Sequence, residues 1–240
     1  MRFAAPFAVI AALAGGPLFA QSLTPEQVKE LALEAILENP QIVMDAVAIL
    51  QEREAAAAAE QAALQLSTLG DALVNDPNAP VMGNPDGDVT VVEFFDYNCP
   101  YCRRASPAVK GVLATDPNVR VVYREWPILG PESVVATRAA LAAREQDKYA
   151  DMHWAMMEFE GRLSENVIMQ IAGDVGLDID KLKVDMQLPA IDAHIAQTTE
   201  MARGLNFNGT PAFVIGDQTV PGFIEQAAME DMIARARQGG

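Results

Sequence analysis

Val89-Thr90-Val91-Val92-Glu93-Phe94-Phe95-Asp96-Tyr97-Asn98-Cys99-Pro100-Tyr101-Cys102 is the stretch on which the fold of this chain turns. Residues 89 to 96 have the β-branched and aromatic content of a buried strand, and Tyr97-Asn98 make a short turn after it. Cys99 then stands at the cap of a helix that runs to about Thr115. A helix N-terminus offers unpaired backbone N–H groups and a partial positive charge, and both favour a thiolate over a thiol. Pro100 fits the first helical turn, where its missing N–H costs nothing, and it sets Cys102 one turn away.

These are the only two cysteines in 240 residues. As a structural disulfide the pair would remove little unfolded-state entropy, because the loop it closes holds only two residues. As half of a zinc site it lacks partners, since His153 and His194 are not at finger-like spacing. Chance burial of two apolar residues is the remaining bland account. Redox chemistry explains both the spacing and the strand-to-helix placement.

Downstream, Val119-Arg120-Val121-Val122-Tyr123-Arg124-Glu125-Trp126 reads as a second core strand and completes a βαβ unit. From Glu132 to Leu205 the pattern is helical, with stops at Gly161, at Gly173 to Gly176 and at Leu188-Pro189. This stretch is too long for a simple crossover. A short strand over 212–215, a turn at Gly216-Asp217, a strand near 218–220 and a helix over about 225–237 follow. The order is that of an α/β thioredoxin fold with a helical insertion at about 131–205.

Upstream, Thr24-Pro25-Glu26-Gln27 is a capping box with proline at the first helical position, and Val28, Leu31, Ala32, Ala35 and Ile36 share one face. Asn39-Pro40 interrupts that helix and starts another, with Val43, Ala46, Val47 and Leu50 on one side and an alanine run over 55–59. Residues 75–88 turn to Asn, Asp, Pro and Gly, which marks a linker. The expected division is therefore 1–20, a 21–78 helical arm with linker, and a 79–240 thioredoxin-like domain.

Residues 1–20 carry a secretory pattern: Arg2, an apolar stretch from Phe3 to Ala14, a break at Gly15-Gly16-Pro17, and Ala20 before a cut at Gln21. This predicts export to the periplasm through a cleaved signal peptide. The formal charge is −16, and −17 without Arg2, which argues against nucleic acid or anionic lipid as partners. Half the residues are hydrophobic, enough for a sizeable core. An exported chain with two cysteines has not used disulfides as staples, leaving this pair free for exchange.

The stretch from Val92 to Cys102 resembles the active-site strand and helix start of the DsbA-like thiol:disulfide oxidoreductases. Gly209-Thr210-Pro211-Ala212-Phe213 is similar to that family's Thr-Pro element, and the resemblance covers about residues 80 to 237. The helices ahead of it, with the Leu37-Glu38-Asn39-Pro40 junction, are similar to the oligomerising arm of ScsC-type members. The resemblance implies a cis peptide bond before Pro211 and a substrate platform made by Thr210, Pro211, Pro100 and Tyr101. It further implies Cys99 as nucleophile, Cys102 as resolving thiol and Glu93 as a buried proton-transfer carboxylate, with no cofactor. Arg124 in the neighbouring strand is the expected partner of Glu93; the competing, less favoured reading has Glu93 pointing outward to solvent at a strand edge. Tyr101 lacks the positive charge of a histidine, so a less oxidising pair is expected than in DsbA enzymes with histidine there.

The implied partners are protein thiol or disulfide substrates, a membrane redox partner protein, and further copies of the chain gathered by the arm into a dimer or trimer. Isomerase or reductase work is favoured over simple oxidation. The competing reading is a CxxC metal-binding or holdase-type module, which would have no need of a Thr-Pro platform. Met152, His153, Met156 and Met157 at helical spacing suggest soft metal at first sight but read as core, and Trp126 and Trp154 as packing residues.

Overall fold

The computed structural model describes residues 23–239; the signal segment read over 1–20 and its cut at Gln21 lie outside them. Five strands form one sheet in the order β1-β3-β2-β4-β5. They are β1 Val81–Gly83, β2 Val89–Phe95, β3 Val119–Glu125, β4 Ala212–Ile215 and β5 Gln218–Val220. β2 and β3 run parallel, in a register from Val89 opposite Val119 to Phe95 opposite Glu125, and α3 (Pro100–Thr115) is the crossover between them. The other pairings, β1 with β3, β2 with β4 and β4 with β5, are antiparallel.

β2 thus has a neighbour on each side and a covered layer on each face, which is why its sequence is an almost unbroken apolar run. Val91 and Phe95, with Val121 and Tyr123 of β3, pack into the larger core against α3 and α9 (Gln226–Gly239). Val92 and Phe94, with Val122 and Val214, belong to a second core that also holds Leu73, Met201 and Leu205. Period-two alternation places Glu93 on the first of these faces.

The insertion consists of α4 (Pro131–Ala142), a 3-10 turn (Ala143–Gln146), α5 (Tyr149–Met157), α6 (Glu165–Asp174), α7 (Ile179–Asp185) and α8 (Pro189–Gly204). Three of its breaks fall at the expected stops, with Gly161 and Gly176 at φ 114° and 82°, where a side chain would be strained, and Pro189 opening α8; the break between α4 and α5, at Asp147 with φ 55°, is not among them. Met152, Met156 and Met157 lie in the larger core and Trp126 in the second.

The chain divides into two compact units, 1–53 and 54–240. In the first, α1 (Pro25–Glu38) carries the expected capping box: Gln27 N–H donates to Thr24 Oγ1 at 3.3 Å and Thr24 N–H to Gln27 Oε1 at 3.0 Å. α2 spans Gln41–Val74, with Gly70 outside helical geometry.

The boundary falls upstream of the division expected near residue 78. The reason is packing: Leu66, Leu69, Leu73 and Val74 join the second core, and two strand arginines donate to carbonyls of the same segment. Arg120 reaches Val74 O at 2.6 Å, and Arg124 reaches Ala72 O and Leu73 O at 2.5 and 2.9 Å. The expected linker also contains β1, which lies at the edge of the sheet. Among the described residues, no helix is long and apolar enough to cross a membrane.

Candidate active site

Cys99 is the N-cap of α3, with extended backbone at φ −79° and ψ 119°, and Pro100 follows at the first helical position. The turn carrying it is held by Asp96, a fully buried carboxylate. Asp96 Oδ1 accepts from the Asn98 N–H at 2.8 Å, and Oδ2 accepts from the N–H groups of Ile128 and Leu129, each at 2.9 Å. Asn98 ties the same turn to the insertion, accepting from Leu163 N–H at 3.0 Å and donating to Ser133 Oγ at 3.4 Å. Arg103, one turn into α3, donates to Tyr97 O at 2.9 Å and to Phe159 O at 3.1 Å. The cysteine pair is therefore fixed against both the sheet and the insertion before any substrate arrives.

Facing Cys99 is the loop before β4. The Thr210-Pro211 peptide bond is cis, as the family resemblance implies, and the Cys99 thiol donates to Thr210 O at 3.1 Å. Tyr101 is 60% exposed, and Ile128 and Leu129 are also exposed, so apolar surface flanks the mouth. A groove of about 710 Å³ opens beside Pro100, bordered by Arg103, Arg104, Lys110 and Phe159.

The two sulfurs differ sharply. Cys99 is lowered to about 6, first by the hydrogen bond from the Cys102 thiol; burial opposes this, and the Thr210 side chain with the N–H groups of Cys102 and Tyr101 add to it. At pH 7 that favours the thiolate. Cys102 has no exposed surface, and burial pushes its thiol well above the ordinary range, with the bond to Cys99 acting in the same direction. Both are free thiols here. One sulfur is thus poised to attack and the other to wait until a proton can leave it.

Glu93 lies on the α3-facing side of β2, 2% exposed, and its Oε1 has no hydrogen-bond partner. Burial raises its carboxyl to about 8, and the neighbouring Glu125 pushes the same way. The solvent-facing alternative is removed. So is the expected pairing with Arg124: that side chain points to the opposite face of β3, where it meets Asp76 at 2.6 Å.

Around Glu93 lies a group that sequence reasoning missed. The Tyr97 OH and His153 Nδ1 are 3.1 Å apart, and His153 packs among the rings of Phe95, Tyr123 and Tyr149. Burial lowers His153 to about 3, leaving a neutral imidazole. Glu125 at the end of β3 accepts from Tyr149 OH at 2.6 Å and meets His194 Nε2 at 2.8 Å. The signal available in the sequence was that both histidines of an acidic chain sit within helical patterns that bury them.

The profile of the DSBA-like thioredoxin domain matches residues 90–234. A thioredoxin-like oxidoreductase from Silicibacter pomeroyi DSS-3 is 58% identical, with 71% of this chain and 99% of that one covered at a TM-score of 0.70. Proteus mirabilis ScsC in a transitional conformation is 28% identical, with 91% and 99% covered at 0.68. The thiol-disulfide exchange protein alpha-DsbA2 from Wolbachia pipientis is 27% identical, with 75% and 97% covered at 0.70. Curated relatives include Na+/H+ antiporters, such as that of Salinispora arenicola (strain CNS-205), 30% identical over 161 residues that make 66% of this chain and 25% of the antiporter. The chain spans about a quarter of the length of these relatives. Because the family profile covers more than half of its length and the fold agrees, the chain belongs to the DsbA-like thioredoxin family.

Proposed function

We propose that the chain is an exported enzyme that exchanges disulfides with protein substrates through Cys99 and Cys102, with isomerase or reductase work favoured over simple oxidation. The observation that carries this reading is the asymmetry of the pair: an ionisable sulfur at a helix N-cap beside Thr210-Pro211, over a buried partner. The Cys99 thiolate attacks one sulfur of a substrate disulfide, forms the mixed disulfide and expels the other substrate sulfur as thiolate. Cys102 then gives up its proton and attacks Cys99, releasing the second substrate thiolate. The substrate gains two electrons and the enzyme pair becomes a disulfide. Glu93 takes that proton when ionised and returns one in the reverse direction. The substrate backbone lies extended along Thr210 and Pro211, over Pro100 and Tyr101.

Export rests on the charged, apolar and small-residue order of residues 1–20, and places the work in the periplasm. A membrane redox partner protein restores the working state of the pair. The arm supports reshuffling: it presents Leu31, Leu37, Met44 and Leu50 exposed, and it gathers copies of the chain so that several Cys99 sites face one substrate.

The decisive experiment is trapping. Cys102→Ser accumulates mixed disulfides with substrate, visible on non-reducing gels, whereas Cys99→Ser abolishes exchange. Trapping by Cys99→Ser and not by Cys102→Ser would reverse the two roles.

A further inference from the structure

Proton relay through Glu93 leaves Glu125 idle, although Glu125 is the other fully buried carboxylate on that face of the sheet. Glu93 stands opposite Tyr123, and Glu125 is two residues further along β3 on the same side. Residues two apart on a strand share a face, so both carboxylates lie on the same side of neighbouring strands. The two carboxylates are not treated alike. Glu125 has a hydroxyl donor at 2.6 Å and an imidazole nitrogen at 2.8 Å, and that imidazole, His194, has Asp76 at 3.4 Å on its other nitrogen. Glu93 Oε1 has no partner at all, and neither does the nearby Tyr123 OH. An ionised carboxylate in a dry site needs donors, so of these two the anion belongs on Glu125 and the proton on Glu93.

We propose that Glu125 is a positioning residue for disulfide exchange: its charge, held by Tyr149 and His194, acts on the cysteine pair through Glu93 and keeps that carboxyl in its proton-bearing form. The proposal rests on the reading of Glu93 as the proton relay for Cys102.

The other groups facing Glu93 do not compete for this part. From α3 comes Cys102, whose thiol is held neutral by burial, and from the turn after β2 comes Tyr97, raised well above the ordinary range for the same reason. Tyr123 of β3 and Tyr149 of α5 are raised likewise, and His153 of α5 is neutral. β4 contributes Phe213, which does not titrate. Behind Glu125, burial opposes a charge on His194, but its two carboxylate partners outweigh burial and raise the imidazole. Glu125 is the carboxylate that pushes on Glu93, and His194 is not among the groups that do. Like charges on neighbouring strands of a dry site hold back the second ionisation.

The test uses the full chain. The rate at which Cys102 resolves a mixed disulfide is followed against pH, together with the infrared band of the protonated carboxyl that Glu93→Gln removes. Glu125→Gln moves both titration midpoints down by about one pH unit or more. Glu125→Asp, which keeps the charge, leaves them near the parent, and Glu125→Gln has no added effect in a Glu93→Gln background. If Glu125→Gln leaves both where they were, or Glu125→Asp moves them as far, the proposal fails while the Glu93 relay stands. If Glu93→Gln leaves the rate profile unchanged, the relay itself fails and takes the proposal with it. Should Glu125→Gln not fold, carbon-13 NMR of the glutamate carboxyls in the unmodified chain decides. Glu125 must be ionised at a pH where Glu93 is still protonated, and the opposite order overturns the proposal.

Discussion

Burial of Glu93 ties the stability of the fold to pH in a way that can be measured. The unfolded chain releases this proton near the ordinary value of 4.5, and the folded chain near 8. Between those limits the folded state holds a proton that the unfolded state has lost, so stability falls as pH rises across that window. Glu93→Gln removes the dependence. Each tenfold change in proton affinity is worth about 1.4 kcal/mol, so the variant gains a few kcal/mol on the parent between pH 4 and pH 8. Guanidinium unfolding at the two pH values reads the difference, and a gap that does not change with pH would mean that water reaches the carboxyl. The same replacement slows resolution by Cys102 at neutral pH. A carboxyl that destabilises the fold while speeding the chemistry is what a proton relay beneath a buried thiol requires.

At the scale of elements, the joint between α2 and the sheet adds to its apolar packing a buried ion pair just beyond the helix, Arg124 with Asp76 at 2.6 Å. Burial alone would raise the Asp76 carboxyl, but hydrogen bonds from His194 and the Asn78 N–H, with the Arg124 charge, outweigh it and hold the group well below the usual range. A depressed carboxylate contributes stability above the unfolded value, about 3.9, and loses it as pH falls through the folded value. Asp76→Asn leaves Arg124 buried and unpaired, and lowers stability at pH 7 by about 3 to 5 kcal/mol. The gap between variant and parent narrows on acidification below about pH 4, which urea melts at pH 7 and pH 3 detect. A constant gap would mean that packing, not charge, makes the joint.

This joint also separates what the sequence discloses from what it conceals. β2, α3, β3, the β4–β5 hairpin and α9 are readable because apolar runs, a cap and turn residues mark each one locally. The attachment of residues 54–74 is not, since it depends on partners such as Arg124 and Asp76, 48 positions apart. β1 is three residues long, follows Pro80 and ends on the positive-φ Gly83, and it looks like loop until β3 is beside it. At the site, the cysteines and Thr210-Pro211 announce themselves by spacing and motif. Glu125 with His194, 69 positions apart, carries no local mark, and the partnerless Oε1 of Glu93 is a property of its surroundings alone.

At the scale of the whole molecule, residues 23–53 are exposed throughout, and Leu37, at 70%, and Met44, at 60%, are among the apolar side chains left in water. Apolar faces of this kind find a partner, and two amphipathic helices ahead of a complete thioredoxin fold are placed to supply one for another copy of the chain. The truncation that tests this must begin near Glu54, because a cut near Asn75 would strip Leu66, Leu69, Leu73 and Val74 from the second core and damage the catalytic unit itself. Sedimentation of the mature chain gives a dimer or trimer, and the chain starting at Glu54 gives a monomer. The shortened form keeps dithiol oxidation, because Cys99, Thr210-Pro211 and Glu93 all lie within residues 54–240. It loses reactivation of a scrambled disulfide substrate, which needs one misfolded chain to meet several sulfurs in turn. A monomeric full-length chain, or an oligomer that survives the deletion, rules out assembly by the arm; loss of both activities would make the arm part of the catalytic fold.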